Sequence, residues 1–374
     1  MYNHIFACTM CDWESNPKIT LLKCESCHSP IEVKYKPNAT NTKMFSHLGI
    51  IPVLSPISDL KQYISLGEGN TPIISFTDIF SDLNISVKAK LEFLNPTGSF
   101  KDRGSAMMIS MLKQMGVRNI VEDSSGNAGG SISAYSARAD ITAHIFVPDT
   151  APKPKVDQIK IYGSKTYSIS GTRDETTDAA EKFVSENNFV YASHNLNPYF
   201  IEGTKIAGYE IYNHFKDTMP DHIIIPVGNG SLYIGIWKAL KELENSGIKF
   251  NFPKLHAIQS ENVMPLVNSF KRTLWNTLDA KPTIAGGIAV SNPPRKSEIM
   301  NVLKDSCGTA ISINEKEIVK YQIELAQKEG IYCEPTCATA LAAIPKLVSR
   351  KIISSGQNVL IPITGFGLKD TAPI

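Results

Sequence analysis

Between residues 101 and 186 the chain alternates helix-length and strand-length periods without interruption, and few folds accept that rhythm. Phe100 to Met115 has helical spacing. Asn119 to Asp123, Thr142 to Val147 and Lys165 to Ser170 read as strands, and Gly129 to Arg138, Lys153 to Tyr162 and Asp174 to Glu186 read as the helices between them. Strands regularly separated by helices need both sheet faces covered, which predicts a parallel, doubly wound α/β sheet. A second alternating block runs from about Gly203 to the end, with strands at Ile223 to Val227 and Val359 to Ile363 and a helix from the glycines after Val227 through Leu243. Two blocks in 374 residues predict two domains.

Composition narrows the function classes. A hydrophobic content of 42% with 20% charged residues is that of a globular protein with sizeable cores. A net charge of +2, without blocks of like charge, supplies no field to attract nucleic acid or an anionic membrane. The opening MYNHIFACTM has no apolar signal core, and no apolar run reaches spanning length, so a cytoplasmic protein is expected.

In a doubly wound sheet, ligands gather at the carboxyl ends of strands. Three small-residue loops stand there. SSGNAGG at 124–130 offers backbone N–H groups and the Ser124 and Ser125 hydroxyls to a carboxylate or a polar ring substituent. GNGS at 228–231 precedes a helix and suits a phosphate, although it matches neither the P-loop nor GxGxxG. TGFGLKD at 364–370 follows the last strand. Upstream, the apolar run Val87 to Leu94 ends in Asn95, Pro96 and Gly98, and Ser99 is the expected N-cap of the next helix. Lys101 then lies in that helix's first turn, where the dipole disfavours an ammonium and an amine stays available to condense with a carbonyl. LGEGNTP at 66–72 is a further turn able to approach a ligand.

The amino-terminal segment carries different chemistry. Cys8 and Cys11, then Cys24 and Cys27, form two CxxC pairs that can supply four thiolates to one tetrahedral zinc ion in a ribbon-like knob. All four positions would be filled, so such a metal is structural. Residues 37–65 read as a polar linker with at most short helices. Cys307, Cys333 and Cys337 read as buried packing residues.

NPTGSFKDRG at 95–104, SSGNAG at 124–129, VGNGS at 227–231, GIYCEPTCA at 330–338 and TGFGLKD at 364–370 together resemble the threonine synthase group of fold-type-II pyridoxal-phosphate enzymes. The resemblance implies two doubly wound three-layer αβα domains with a zinc-ribbon-like segment at 1–40, a large cofactor-binding domain from 41–99 and 201–374, and a small domain at 100–200. It implies pyridoxal 5'-phosphate on Lys101, with Asn127 at its phenolic oxygen and Gly228, Asn229, Gly230 and Ser231 at its phosphate. Thr364 matches the hydroxyl that meets the ring nitrogen. A neutral partner there does not hold a proton on the ring as an aspartate would, which favours elimination and replacement over transamination.

The implied reaction converts O-phosphohomoserine and water to threonine and phosphate, with Lys101 as the base at Cα. Two departures bear on the substrate. Many threonine synthases have an arginine that grips the substrate phosphate where this chain has Phe200, and they often read GNT where this chain has Ala128 after Gly126 and Asn127. Arg173, Lys153, Lys155 and His194 are the available replacements. Serine or threonine dehydration, a cysteate synthase-like β-replacement, and a non-catalytic binding protein of the same fold are the alternatives. The expected partners are a small amino-acid substrate and, by resemblance, a second copy in a homodimer.

Overall fold

The computed structural model describes residues 2–37, 39, 48, 53–57 and 59–373. Contacts divide the chain into two compact units, Met1–Gly69 with Asn95–Tyr209, and Asn70–Leu94 with Glu210–Ile374. The described residues of 41–69 and the segments 95–99 and 201–209 go with the first unit by their contacts, whereas the resemblance assigns them to the large domain. Much of the 37–65 linker lies outside the described residues.

The first unit holds a four-stranded parallel sheet in the order Lys165–Ile169, Thr142–Pro148, Asn119–Glu122, Val190–Tyr191. Its helices are α1 (Lys101–Gln114), α2 (Asn127–Ala139), α3 (Lys153–Ile161), α4 (Arg173–Asn187) and α5 (Pro198–Thr204). Local chemistry sets the ends of α4: the Thr172 hydroxyl accepts the Glu175 N–H at 3.2 Å, the Glu175 carboxylate accepts the Thr172 N–H at 2.6 Å, and Asn188 closes the helix at φ 54°. Helix α1 is buried from Asp102 through Leu112 and is the centre of this unit's core.

Helix α5 crosses α1 at two glycines. A Cβ on Gly203 would stand 1.9 Å from the Arg103 carbonyl oxygen, and one on Gly104 would stand 2.4 Å from the Phe200 ring. No larger residue fits at 203 without moving a helix, and none fits at 104 without displacing the Phe200 ring. The amino-terminal segment forms a three-stranded antiparallel sheet of Glu14–Ser15, His4–Cys8 and Ile31–Tyr35. It packs on α5, where His4 Nε2 meets the Tyr199 hydroxyl at 2.9 Å. The Tyr35 hydroxyl donates to Glu202, which also holds the fully buried Lys205 at 2.5 Å.

The second unit holds a six-stranded sheet in the order Ala310–Ile313, Lys254–Ser260, His222–Pro226, Asn358–Pro362, Ser86–Lys90, Ile73–Ser75. All neighbours are parallel except the edge strand Ile73–Ser75, which runs antiparallel to Ser86–Lys90. The central strands read as continuous apolar runs because helices cover both faces. Helix α6 (Ile206–Phe215) enters this unit, followed by α7 (Ser231–Asn245), α8 (Pro265–Lys271), α9 (Lys296–Asp305), α10 (Glu315–Glu329) and α11 (Pro335–Ser349). Among the described residues no helix is long and apolar enough to cross a membrane.

Two buried histidines in this sheet make its stability acid-sensitive. The Thr309 N–H donates to His256 Nδ1 at 3.2 Å, so His256 Nε2 carries the proton toward His222 Nδ1 at 2.9 Å, and His222 Nε2 donates to Gln357 at 3.0 Å. Both rings are neutral in this chain of bonds, and burial draws His256 down to about 3 and His222 below its ordinary value. A histidine depressed in the fold contributes stability fully above its unfolded value of about 6.5 and loses it as pH falls toward the folded one. The urea midpoint should therefore fall between pH 7 and 4, and less steeply in His256→Gln. An identical slope in both proteins would remove the pair as its cause.

Candidate active site

Lys101 is the first residue of α1 and is half-buried. Its Nζ lies 4.7 Å from the centroid of the Phe100 ring and 5.7 Å from that of Phe200. The helix begins differently from the sequence expectation. Ser99 does not cap it: Phe100 occupies the cap position with helical backbone angles, and the buried Ser99 hydroxyl has no hydrogen-bond partner. Asp102 acts instead. Its carboxylate reaches back to accept the Thr97 N–H at 2.7 Å and the Thr97 hydroxyl at 2.5 Å, and it also accepts from Ser131 at 2.6 Å. A buried acid with three donors fixes the turn before Lys101 more firmly than a serine cap would.

Ser124, Ser125, Gly126 and Asn127 form one half-buried loop between the strand Asn119–Glu122 and α2. Helix α2 begins at Asn127, two residues before the expected start, and no side chain caps it, so its first N–H groups point into the loop. A Cβ on Gly129 would fall 1.9 Å from the Ser124 carbonyl oxygen, so glycine is what allows the loop to fold back on α2. The 66–72 turn is tied to the same helix, since Glu68 accepts the Tyr135 hydroxyl at 2.7 Å as well as Leu66 N–H at 3.0 Å.

The strand before this loop ends in a buried acid that sequence reasoning missed. Glu122 accepts the His194 backbone N–H at 3.2 Å and meets His194 Nδ1 at 2.6 Å. Burial pushes Glu122 well above the ordinary carboxylate range, and burial, reinforced by the Lys101 charge, pushes His194 well below its own. Burial thus favours the uncharged form of each, and the two groups lie within hydrogen-bond distance of one another. His194 is also in edge contact with Phe200, at 5.8 Å between ring centroids. The wall beside Lys101 on this side consists of a buried acid–imidazole pair and an aromatic ring that is 0% exposed. Of the other possible replacements for the missing arginine, Arg173 is bound to Asp123 at 2.9 Å, Lys153 pairs with Asp157 on the exposed face of α3, and Lys155 is buried in the first turn of α3.

In the second unit, Gly228 to Gly230 join the strand His222–Pro226 to α7. Gly230 takes φ 83°, and α7 starts at Ser231 without a side-chain cap. A Cβ on Gly228 would meet Ile288 Cα at 3.0 Å, and one on Gly230 would meet the Ile299 side chain at 2.6 Å. The Asn229 side-chain oxygen is buried without a hydrogen-bond partner. Uncapped N–H groups, a hydroxyl, a buried amide with bonding capacity to spare and glycines that keep the backbone bare are what a phosphate monoester requires, so this loop fits the phosphate of pyridoxal 5'-phosphate. Thr364 follows the strand Asn358–Pro362 and is 5% exposed, with its hydroxyl 3.2 Å from the Cys337 sulfur. That contact went unread in the sequence.

The four amino-terminal cysteines converge as their spacing predicts, with one sulfur from each lying within 4.8 Å of the others. Three S···S separations are 3.4, 3.7 and 3.6 Å. A tetrahedron with Zn–S bonds of about 2.3 Å has edges of about 3.8 Å, so the cluster fits zinc with little adjustment. Hydrogen bonds from Ser29 already draw the Cys27 thiol down to about 6.

The family model for pyridoxal-phosphate dependent enzymes matches residues 64–365. A threonine synthase from Methanocaldococcus jannaschii is 34% identical over 84% of this chain and 78% of its own length. One from Methanosarcina acetivorans is 30% identical over 97% of this chain and 91% of its own, a span that reaches into the cysteine segment. Among solved structures, maize serine racemase superposes with a TM-score of 0.70 over 88% of this chain and 94% of its own, at 22% identity, and so speaks for the fold alone. The lysine-headed helix, the two glycine loops and these relatives place the chain among the pyridoxal-phosphate-dependent lyases, as a member of the threonine synthase family.

Proposed function

We propose that this chain converts O-phosphohomoserine and water to threonine and phosphate. In this reading Lys101, Asn127, Gly228, Asn229, Gly230, Ser231 and Thr364 hold pyridoxal 5'-phosphate, Ser124 and Ser125 take the substrate carboxylate, and Cys8, Cys11, Cys24 and Cys27 hold a structural zinc ion. The cofactor, when bound, supplies an electron sink for negative charge at the substrate's Cα. Lys101 removes the Cα proton, a role that needs an amine of adjustable charge close to the carbon. The uncapped N-terminus of α2 binds and orients the carboxylate. The observation that carries the reading is Lys101 itself, the leading residue of a buried helix, held between two aromatic faces beside the buried Glu122–His194 pair. A cytoplasmic location and a homodimeric assembly belong to the same reading.

A second reading is favoured by one observation. Phe200 fills the wall beside Lys101 with an uncharged ring, while Arg173 and Lys153 are engaged by Asp123 and Asp157. A dianion there would lack the charge-assisted contacts that normally hold it, so the substrate would be an unphosphorylated hydroxy amino acid, or the leaving group would differ.

A screen of the purified enzyme separates the two. O-phosphohomoserine, threonine, serine, O-phosphoserine and homoserine are each added while cofactor absorbance, released phosphate and keto acid are followed. Phosphate release from O-phosphohomoserine, with inorganic phosphate as an effective competitor, supports the first reading. A response confined to unphosphorylated amino acids, with weak competition by phosphate, supports the second and overturns the first.

A further inference from the structure

Cys337 stands where it can decide which way the Thr364 hydroxyl points. It lies in the first turn of α11, fully buried, with its sulfur 3.2 Å from Thr364 Oγ1, 3.2 Å from the Gly365 nitrogen and 3.4 Å from the Gly365 carbonyl oxygen. The Gly365 N–H donates to the sulfur, which fixes one of its lone pairs. The thiol then has one proton and, besides the weakly accepting Cys333 sulfur, two oxygen acceptors in reach. Gly365 O already accepts the Glu334 N–H at 3.0 Å, and Thr364 Oγ1 is the nearer of the two.

Each arrangement has an opposite consequence. With the thiol proton on the Gly365 carbonyl, the threonine hydroxyl donates to sulfur and presents a lone pair outward, which suits only a protonated ring nitrogen. With the thiol proton on Thr364 Oγ1, the hydroxyl keeps its own hydrogen to give, which suits an unprotonated one. The Gly365 carbonyl is the farther acceptor and is already taken by the Glu334 N–H, so the thiol proton goes to Thr364 Oγ1, and a hydroxyl whose lone pair is so occupied turns its own hydrogen outward.

We propose that Cys337 is a positioning residue that orients the Thr364 hydroxyl as a donor and thereby keeps the ring nitrogen unprotonated. The proposal rests on the reading that Thr364 faces that nitrogen. It gives a buried sulfur in the 330–338 motif a part in the electronics of the site, since an unprotonated ring withdraws electrons less strongly and restrains the cofactor from transamination.

The experiment reconstitutes wild type, Cys337→Ala, Cys337→Ser and Thr364→Val with cofactor labelled with 15N at the ring nitrogen, and reads that nitrogen's chemical shift. Wild type should resonate in the pyridine-like range. Cys337→Ala should move the resonance toward the pyridinium-like range, and Cys337→Ser, whose hydroxyl can donate as the thiol does, should restore it. Wild-type position in Cys337→Ala, or failure of Cys337→Ser to restore it, overturns the role of Cys337. Should Cys337→Ala fold poorly, the serine variant decides: its resonance must stay with wild type. Thr364→Val separates the two levels. If it shifts the resonance while the Cys337 variants do not, only the thiol's role is lost; if it leaves the resonance unmoved, Thr364 is not the ring partner and the underlying assignment fails.

Discussion

Lys101→Ala is expected to lower kcat/KM by at least about a thousandfold, a loss of about 4 kcal/mol of transition-state stabilisation, and to abolish both borohydride trapping and the absorbance of lysine-bound cofactor. The fold should survive the change. Lys101 is half-buried at the head of α1, alanine is the best helix former, and the turn before it is held by Asp102 rather than by the lysine. Removing a long side chain from between Phe100 and Phe200 should therefore change thermal stability little while chemistry is lost. The informative contrast is with Asp102→Asn, which keeps Lys101 but weakens the three bonds to Thr97 and Ser131. That variant should trap borohydride yet turn over slowly and melt earlier, because it leaves a buried group poorly matched to its donors. Trapping that persists in Lys101→Ala would mean that another lysine carries the cofactor, and the catalytic assignment would fall.

Much of this architecture could be read before any coordinates, for a physical reason. Parallel strands covered on both faces are written as unbroken apolar runs, such as Ile223 to Ile225, and the glycine loops at their ends mark where helices begin. The cysteine cluster was legible because its chemistry is local to two short knuckles. What escaped depends on contacts between residues far apart in sequence. Ser99 is a good cap by residue type, yet Asp102 outcompetes it once Ser131 on α2 joins the network. Phe200 meets Lys101 only because glycines at 104 and 203 let two helices cross closely. Cys337 is ordinary as a residue type and gains meaning only from the hydroxyl that a distant strand end delivers to it. The antiparallel edge strand Ile73–Ser75 likewise has too few residues to show a period.

The ribbon is the other place where a large effect is expected, and its reach extends beyond the metal. Purified protein prepared without chelator should carry one zinc ion per chain, and chelation or Cys24→Ser should release it and unfold the small antiparallel sheet. That sheet supplies Tyr35 to Glu202, which holds the buried Lys205, and His4 to Tyr199, and Glu202 and Tyr199 both lie on α5. A buried carboxylate that loses a hydroxyl donor costs about 1–3 kcal/mol, and for a unit of this size each kcal/mol lowers the melting temperature by about 2–4 °C. The loss should not stop at the ribbon, because α5 also carries Phe200, which is wedged at Gly104 and lies against Lys101. Zinc removal should accordingly reduce turnover as well as stability. Tyr35→Phe, which keeps the metal and the packing but removes the hydroxyl, should reproduce a fraction of both effects. Metal analysis that finds no zinc would remove the ribbon's ligand, whereas stoichiometric zinc whose removal leaves melting and turnover unchanged would show that α5 holds its position on α1 without help from the ribbon.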